Sequence, residues 1–140
     1  MIIRLAHPTD AAQLVILNGA FNDPAAGPQQ VAGYLAGSPD ERTVVAEIDG
    51  LPAGFACLRI FRSWCYADPW AELTELFVAP EQRRGELGRA MVDFAEQLAR
   101  DAGAAEMLVH AGMHNAAGQS FYRSCGYRGQ SQLAFRKALR

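Results

Sequence analysis

Residues Arg83 to Arg89, RRGELGR, crowd three arginines and two glycines onto what reads as the start of a helix. Free N–H groups, the positive end of a helix dipole and guanidinium side chains together suit an anion such as phosphate. Gly85 and Gly88 would let the backbone come close to it. A solvated basic turn accounts for the same residues, and on this stretch alone the two readings balance. Just upstream, Glu75 places a carboxylate inside the apolar run LTELFV, where charge is seldom buried without a use. It can act as a base, hold a water or anchor a cation. Glu72 is a second candidate base, read more simply as an exposed strand end. His110 and His114 stand four apart, a spacing that suits a metal only on a helix. Here they span a strand end and a loop with Gly112, so no metal site is expected. Cys125 reads as packing, since nothing in the spacing sets a base beside it.

The elements that must position these groups follow from periodicity. Leu73 to Val78 is a strand, ended by Ala79-Pro80. Leu87, Met91, Phe94 and Leu98 form one stripe of the next helix, and Gly103 marks its stop. Upstream, Ile2 to Leu5 is a short strand. Asp10 with Gln13 resembles a capping box ahead of a helix carrying Leu14, Leu17 and Phe21. Asn22-Asp23-Pro24 breaks that helix, a weaker one lies within Gly27 to Gly37, and Ser38-Pro39-Asp40 is loop. Thr43 to Ile48 and Gly54 to Phe61 form a hairpin around Asp49-Gly50, whose glycine suits a type I′ turn. Arg62 to Trp70 is a loop whose Trp64, Tyr66 and Trp70 either line an acceptor pocket, cover a sheet edge or meet a second subunit. Ala105 to His110 is a strand parallel to Leu73–Val78, because a helix of crossover length joins them. Asn115 to Ser124 is a short helix, and a final pair of strands follows from Gly126, with Leu133 to Phe135 in the last. The order is that of an α/β or α+β single domain spanning 1–140.

Composition narrows the classes. The 140 residues are half hydrophobic and one-fifth charged, an ordinary globular balance, with a net charge of -2 that offers nucleic acid no general attraction. Three cysteines without a C-x-x-C spacing argue against a disulfide framework and for a reducing, cytoplasmic setting. No apolar run approaches membrane-spanning length, so neither nucleic acid nor membrane is an expected partner.

Three strings in order then resemble the GNAT superfamily of N-acetyltransferases, over nearly the whole chain. VVAEIDGLPAGFACLRI resembles its central hairpin, LFVAPEQRRGELGRAM its acetyl-CoA signature, and HNAAGQSFYRSCGYR its later N-x-x-A-x-x-F-Y block. Two positions depart from the pattern. Glu86 stands at the first signature glycine, with Gly85 one place early, and Gly118 stands where alanine is usual. A carboxylate turned toward a pyrophosphate would repel it, so Glu86 is expected to point away or the loop to use Gly85.

The resemblance implies a mixed, mostly antiparallel central sheet with a parallel, splayed strand pair, flanked by helices. It implies acetyl-CoA as co-substrate, no metal, and direct attack of a primary amine on the thioester. The pantetheine arm would enter between the splayed strands and bond to backbone near Phe77 and Val78. Amides from Arg83 through Arg84, Gly85, Glu86, Leu87 and Gly88 to Arg89 would hold the pyrophosphate. Asn115 would touch the cofactor arm, or cap its helix, for which asparagine is well suited. Tyr122 would protonate the departing sulfur, although beside Phe121 it also reads as a buried aromatic. Glu75 would serve the amine. The acceptor is a small-molecule or peptide amine, and a homodimer is compatible with the final strands. A non-catalytic acyl-CoA-binding or sensing domain is the alternative, with Glu86 its main support.

Overall fold

The computed structural model describes residues 1–22, 26–38 and 40–140. The expected breaks at Asn22-Asp23-Pro24 and Ser38-Pro39-Asp40 fall in part outside them. The order is β1 (Ile2–Leu5), α1 (Ala11–Gly19), α2 (Pro28–Gly37), β2 (Glu41–Ile48), β3 (Leu51–Phe61), β4 (Trp70–Val78), α3 (Leu87–Asp101), β5 (Met107–Val109) and α4 (Ala116–Ser124). Short 3-10 turns at Pro8–Asp10 and Pro80–Gln82 precede α1 and α3. The chain divides into two compact units, Met1–His110 and Ala111–Arg140.

The first unit holds a five-stranded sheet in the order β1-β2-β3-β4-β5. Every pair is antiparallel except β4 with β5, which is parallel. The β2–β3 hairpin closes through Asp49 (φ 51) and Gly50 (φ 81), both left-handed as a type I′ turn requires. On one sheet face Val45, Phe55 and Phe77 pack with Leu14 and Leu17 of α1. Val44, Leu58 and Leu73 are fully buried, as are Met91 and Val92 of α3. Truncating any such residue to alanine costs about 2–5 kcal/mol. The buried stripe of α3 is Leu87, Met91, Val92, Ala95 and Ala99, with Phe94 and Leu98 at its margin. Its end is a glycine stop. Gly103 (φ 90) donates to the Arg100 carbonyl at 2.9 Å, and Ala104 to Ala99 at 3.0 Å.

Two expectations are corrected. Asp10 does not cap α1 with Gln13; its carboxylate accepts the His7 N–H at 2.7 Å and both terminal nitrogens of Arg4, at 2.7 and 2.9 Å. The cap therefore sits one turn earlier, because Arg4 on β1 draws the carboxylate back. The closing strands expected from Gly126 do not form among the described residues. Alternating apolar residues give a strand its two faces, but only a free neighbouring edge makes it a strand.

Candidate active site

The sheet opens between β4 and β5. Their pairing runs from Ala71↔Met107 to Leu73↔Val109 and stops, while β4 continues to Val78. Backbone groups of an antiparallel strand alternate between its two sides. Ala79 N–H donates to Ala53 O at 2.9 Å, so Ala79 and Phe77 address β3. Leu76 and Val78 direct their N–H and C=O groups the other way, to the side β5 has left. Phe77 itself is a core residue, with its ring buried. Gly54 opposite Val78 keeps this region tight, since a Cβ there would meet the Phe77 carbonyl at 2.8 Å and Met91 at 3.0 Å.

At the end of that edge the chain bends into α3. Arg83 turns back instead of reaching outward: its Nε donates to Val78 O at 2.8 Å and its guanidinium lies 5.4 Å from the Phe77 ring centroid. Arg84, not a glycine, carries the left-handed backbone of the bend, at φ 68. A non-glycine residue held there costs of order 1 kcal/mol. Glu86 is the residue before α3, is exposed, and makes no side-chain cap. Its carboxylate therefore does not occupy the first turn of the helix as a cap.

Beside the open edge lies an acidic sheet face. The β3–β4 register shifts between Cys57 and Leu58, pairing Cys57↔Glu75 and Leu58↔Leu73. Thr74 is the extra residue, and its hydroxyl donates to Cys57 O at 3.2 Å. Residues three apart on a regular strand fall on opposite faces. Here Glu72 pairs with Arg59 and Glu75 with Cys57, two apart on β3, so the bulge brings both carboxylates to one face. Burial pushes the Glu41 carboxyl up, helped by the charge of Glu75 and opposed by Cys57 and Arg59. Burial also pushes the Cys57 thiol up, to about 12. Glu72 is not the exposed strand end expected: its side chain is 20% exposed and its Oε1 lies 3.1 Å from His110 Nδ1. This pair was missed in the sequence, where only AELT and MLVH, once set parallel, could have shown it.

Trp64 is 96% exposed, while Tyr66 and Trp70 touch at 6.2 Å between centroids and Trp70 also meets Phe61.

In the second unit Asn115 caps α4, its Oδ1 accepting the Gly118 N–H at 3.0 Å. Gly118 makes this possible, because a Cβ there would sit 2.5 Å from Asn115 Nδ2. Gln119 ties the preceding loop by donating to the Gly112 and Met113 carbonyls at 2.7 and 3.0 Å. Tyr122 is half-buried, edge-on to Phe121 at 5.2 Å and to Tyr127 at 5.9 Å.

A model of the acetyltransferase (GNAT) family matches residues 14–127. An aminoglycoside N(6')-acetyltransferase type 1 of Klebsiella aerogenes is 32% identical over 116 residues, covering 79% of this chain and 76% of the relative. An IAA acetyltransferase of Azospirillum brasilense is 32% identical over 89 residues, 64% of this chain; the match spans 56% of that relative's length. Among solved structures, an aminoglycoside N-acetyltransferase in complex with CoA superposes with a TM-score of 0.87 at 17% identity, covering 99% of this chain and 94% of that one. Among the described residues no helix is long and apolar enough to cross a membrane.

Proposed function

This chain belongs to the GNAT acetyltransferase family, and on that premise we propose that it transfers an acetyl group from acetyl-CoA to a primary amine by direct attack on the thioester. The observation that carries the reading is the stretch of β4 beyond the last rung with β5, which leads to an α3 start that Glu86 does not cap. A pantetheine arm adds to such an edge as a further strand would. The N–H and C=O of Leu76 are its partners, which leaves the N–H of Val78 for the thioester. Amides from Gly85 to Arg89 receive the pyrophosphate, with Arg84 and Arg89 supplying charge. Glu86, exposed and not bonded to the helix amides, leaves them to the anion.

Three needs of the reaction assign the remaining roles. The thioester oxygen gains charge in the transition state, and the Val78 N–H is a fixed donor for it. The departing sulfur needs a proton, and Tyr122 is the donor. The ammonium must be held and deprotonated, and Glu75 is the carboxylate that faces it. Asn115 meets the cofactor arm when it leaves its cap. The acceptor class we favour is a small amine of the aminoglycoside kind, on the strength of the relative at 32% identity.

Thiol release tests the reading. Acetyl-CoA is supplied with a panel containing kanamycin, spermidine, lysine and a short peptide with a free N-terminus. The expected result is amine-dependent release, lowered at least about tenfold in Tyr122→Phe with acetyl-CoA affinity nearly unchanged. Binding of acetyl-CoA without release for any amine would favour an acyl-CoA-sensing domain instead.

A further inference from the structure

We propose that His110 takes the proton from the acceptor ammonium and that Glu72 positions it for this; the inference rests on the acetyl-transfer reading above. Four observations on the first unit lead there. His110 is the residue immediately after the last β4–β5 rung, Leu73↔Val109, so it stands at the fork where the two strands part. Glu72 pairs with Leu108, two before His110, which sets both side chains on one sheet face. That face also bears Glu75, because of the Thr74 bulge. Finally, the pair is asymmetric in exposure: Glu72 is 20% exposed and His110 66%.

The hydrogen bond fixes the tautomer. An ionised carboxylate only accepts, so Nδ1 carries the proton across the 3.1 Å contact. In the neutral ring Nε2 then holds the lone pair. Arg59, the cross-strand partner of Glu72, instead lays its guanidinium over the Phe61 ring at 4.9 Å.

Proton traffic favours His110 over Glu75. A base must return its proton to water in every cycle, and His110 has the exposure to do so. Glu75 lies on the sheet beside half-buried Cys57 and Glu41, and serves better as the anion that holds the ammonium. The step balances as follows. One N–H proton of R–NH3+ passes to His110 Nε2, freeing the nitrogen lone pair. That pair attacks the thioester carbon, forming C–N, and collapse breaks C–S. Tyr122 gives its proton to the departing sulfur, making CoA thiol, and is reprotonated by the second proton that nitrogen loses on amide formation. His110 then releases its proton to water.

The test uses the full chain and whichever panel amine gives the fastest thiol release. His110→Gln keeps a donor for Glu72 but has no basic nitrogen. It should lower kcat roughly 100-fold while leaving acetyl-CoA affinity and the thermal midpoint unchanged. His110→Ala should fall as far, and added imidazole should restore part of its rate. Glu72→Gln should lower kcat about tenfold, with Glu72→Asp recovering some of it. Folded His110→Gln turning over within about twofold of the parent, or no imidazole rescue of a slow His110→Ala, would overturn the role of His110 and leave the acetyl-transfer reading standing. If the parent chain releases no thiol with any amine, the acetyl-transfer reading itself fails and this inference falls with it.

Discussion

Arg4 grips two carboxylates at once. It bonds Asp10 through both terminal nitrogens and Glu47 through Nε and one terminal nitrogen, at 3.0 and 2.8 Å. Asp10 is 8% exposed, and removing its charge leaves the half-buried guanidinium with Glu47 as its remaining anionic partner. Asp10→Asn should cost about 2 kcal/mol at neutral pH, less than for a fully buried pair because Arg4 is a third exposed. The hydrogen bonds from Arg4 hold the Asp10 carboxyl below its ordinary value, against the opposing effect of burial. A depressed carboxylate contributes stability above its unfolded pKa, near 4, and loses it as pH falls through the folded value. Urea midpoints of parent and Asp10→Asn should therefore converge below about pH 4; parallel curves down to pH 2 would contradict this. Cys57 yields a second check. Half-buried and with its thiol pushed up to about 12, it should resist iodoacetamide at pH 8, where exposed Cys65 is alkylated. Mass spectrometry of the native protein reads both sites.

At the scale of elements, α4 shows how a small residue sets a neighbour's direction. Gly118 makes room for the Asn115 carboxamide to fold back as a cap. Gly118→Ala would push it out, losing a cap worth about 1 kcal/mol and gaining roughly the same in helix propensity. Thermal unfolding should change little, while calorimetric acetyl-CoA affinity should rise as Asn115 becomes free for the cofactor arm. Asn115→Ala should lose the cap without compensation, about 1 kcal/mol. An unchanged affinity in Gly118→Ala would separate Asn115 from the cofactor. The central bend carries a similar lesson. Its left-handed residue is Arg84, while Gly85 is not left-handed, and Arg83 is spent on Val78 and Phe77. Charge and glycine content pointed to the bend, but the division of labour among its residues depends on tertiary partners.

For the molecule as a whole, long periodic segments were legible and local departures from period were not. LTELFV, the α3 stripe and Asp49-Gly50 each carry a strong short-range rule, and each forms as that rule requires. The Thr74 bulge has no such signature, yet it decides that Glu72 and Glu75 share a face. The Glu72–His110 bond joins positions 38 apart, which only the parallel register brings together. The strands expected after Gly126 failed for the complementary reason: alternation is local, whereas pairing is not.

The central claim is that the β4 edge beyond Leu73 and the start of α3 together receive acetyl-CoA. Amide hydrogen exchange with and without acetyl-CoA tests it at the residues concerned. The account predicts slowed exchange at Leu76, Val78 and the amides from Gly85 to Arg89, with Phe77, already bonded to β3, unaffected. Saturating acetyl-CoA that leaves Leu76, Val78 and the α3 start as fast as in the free protein would contradict it.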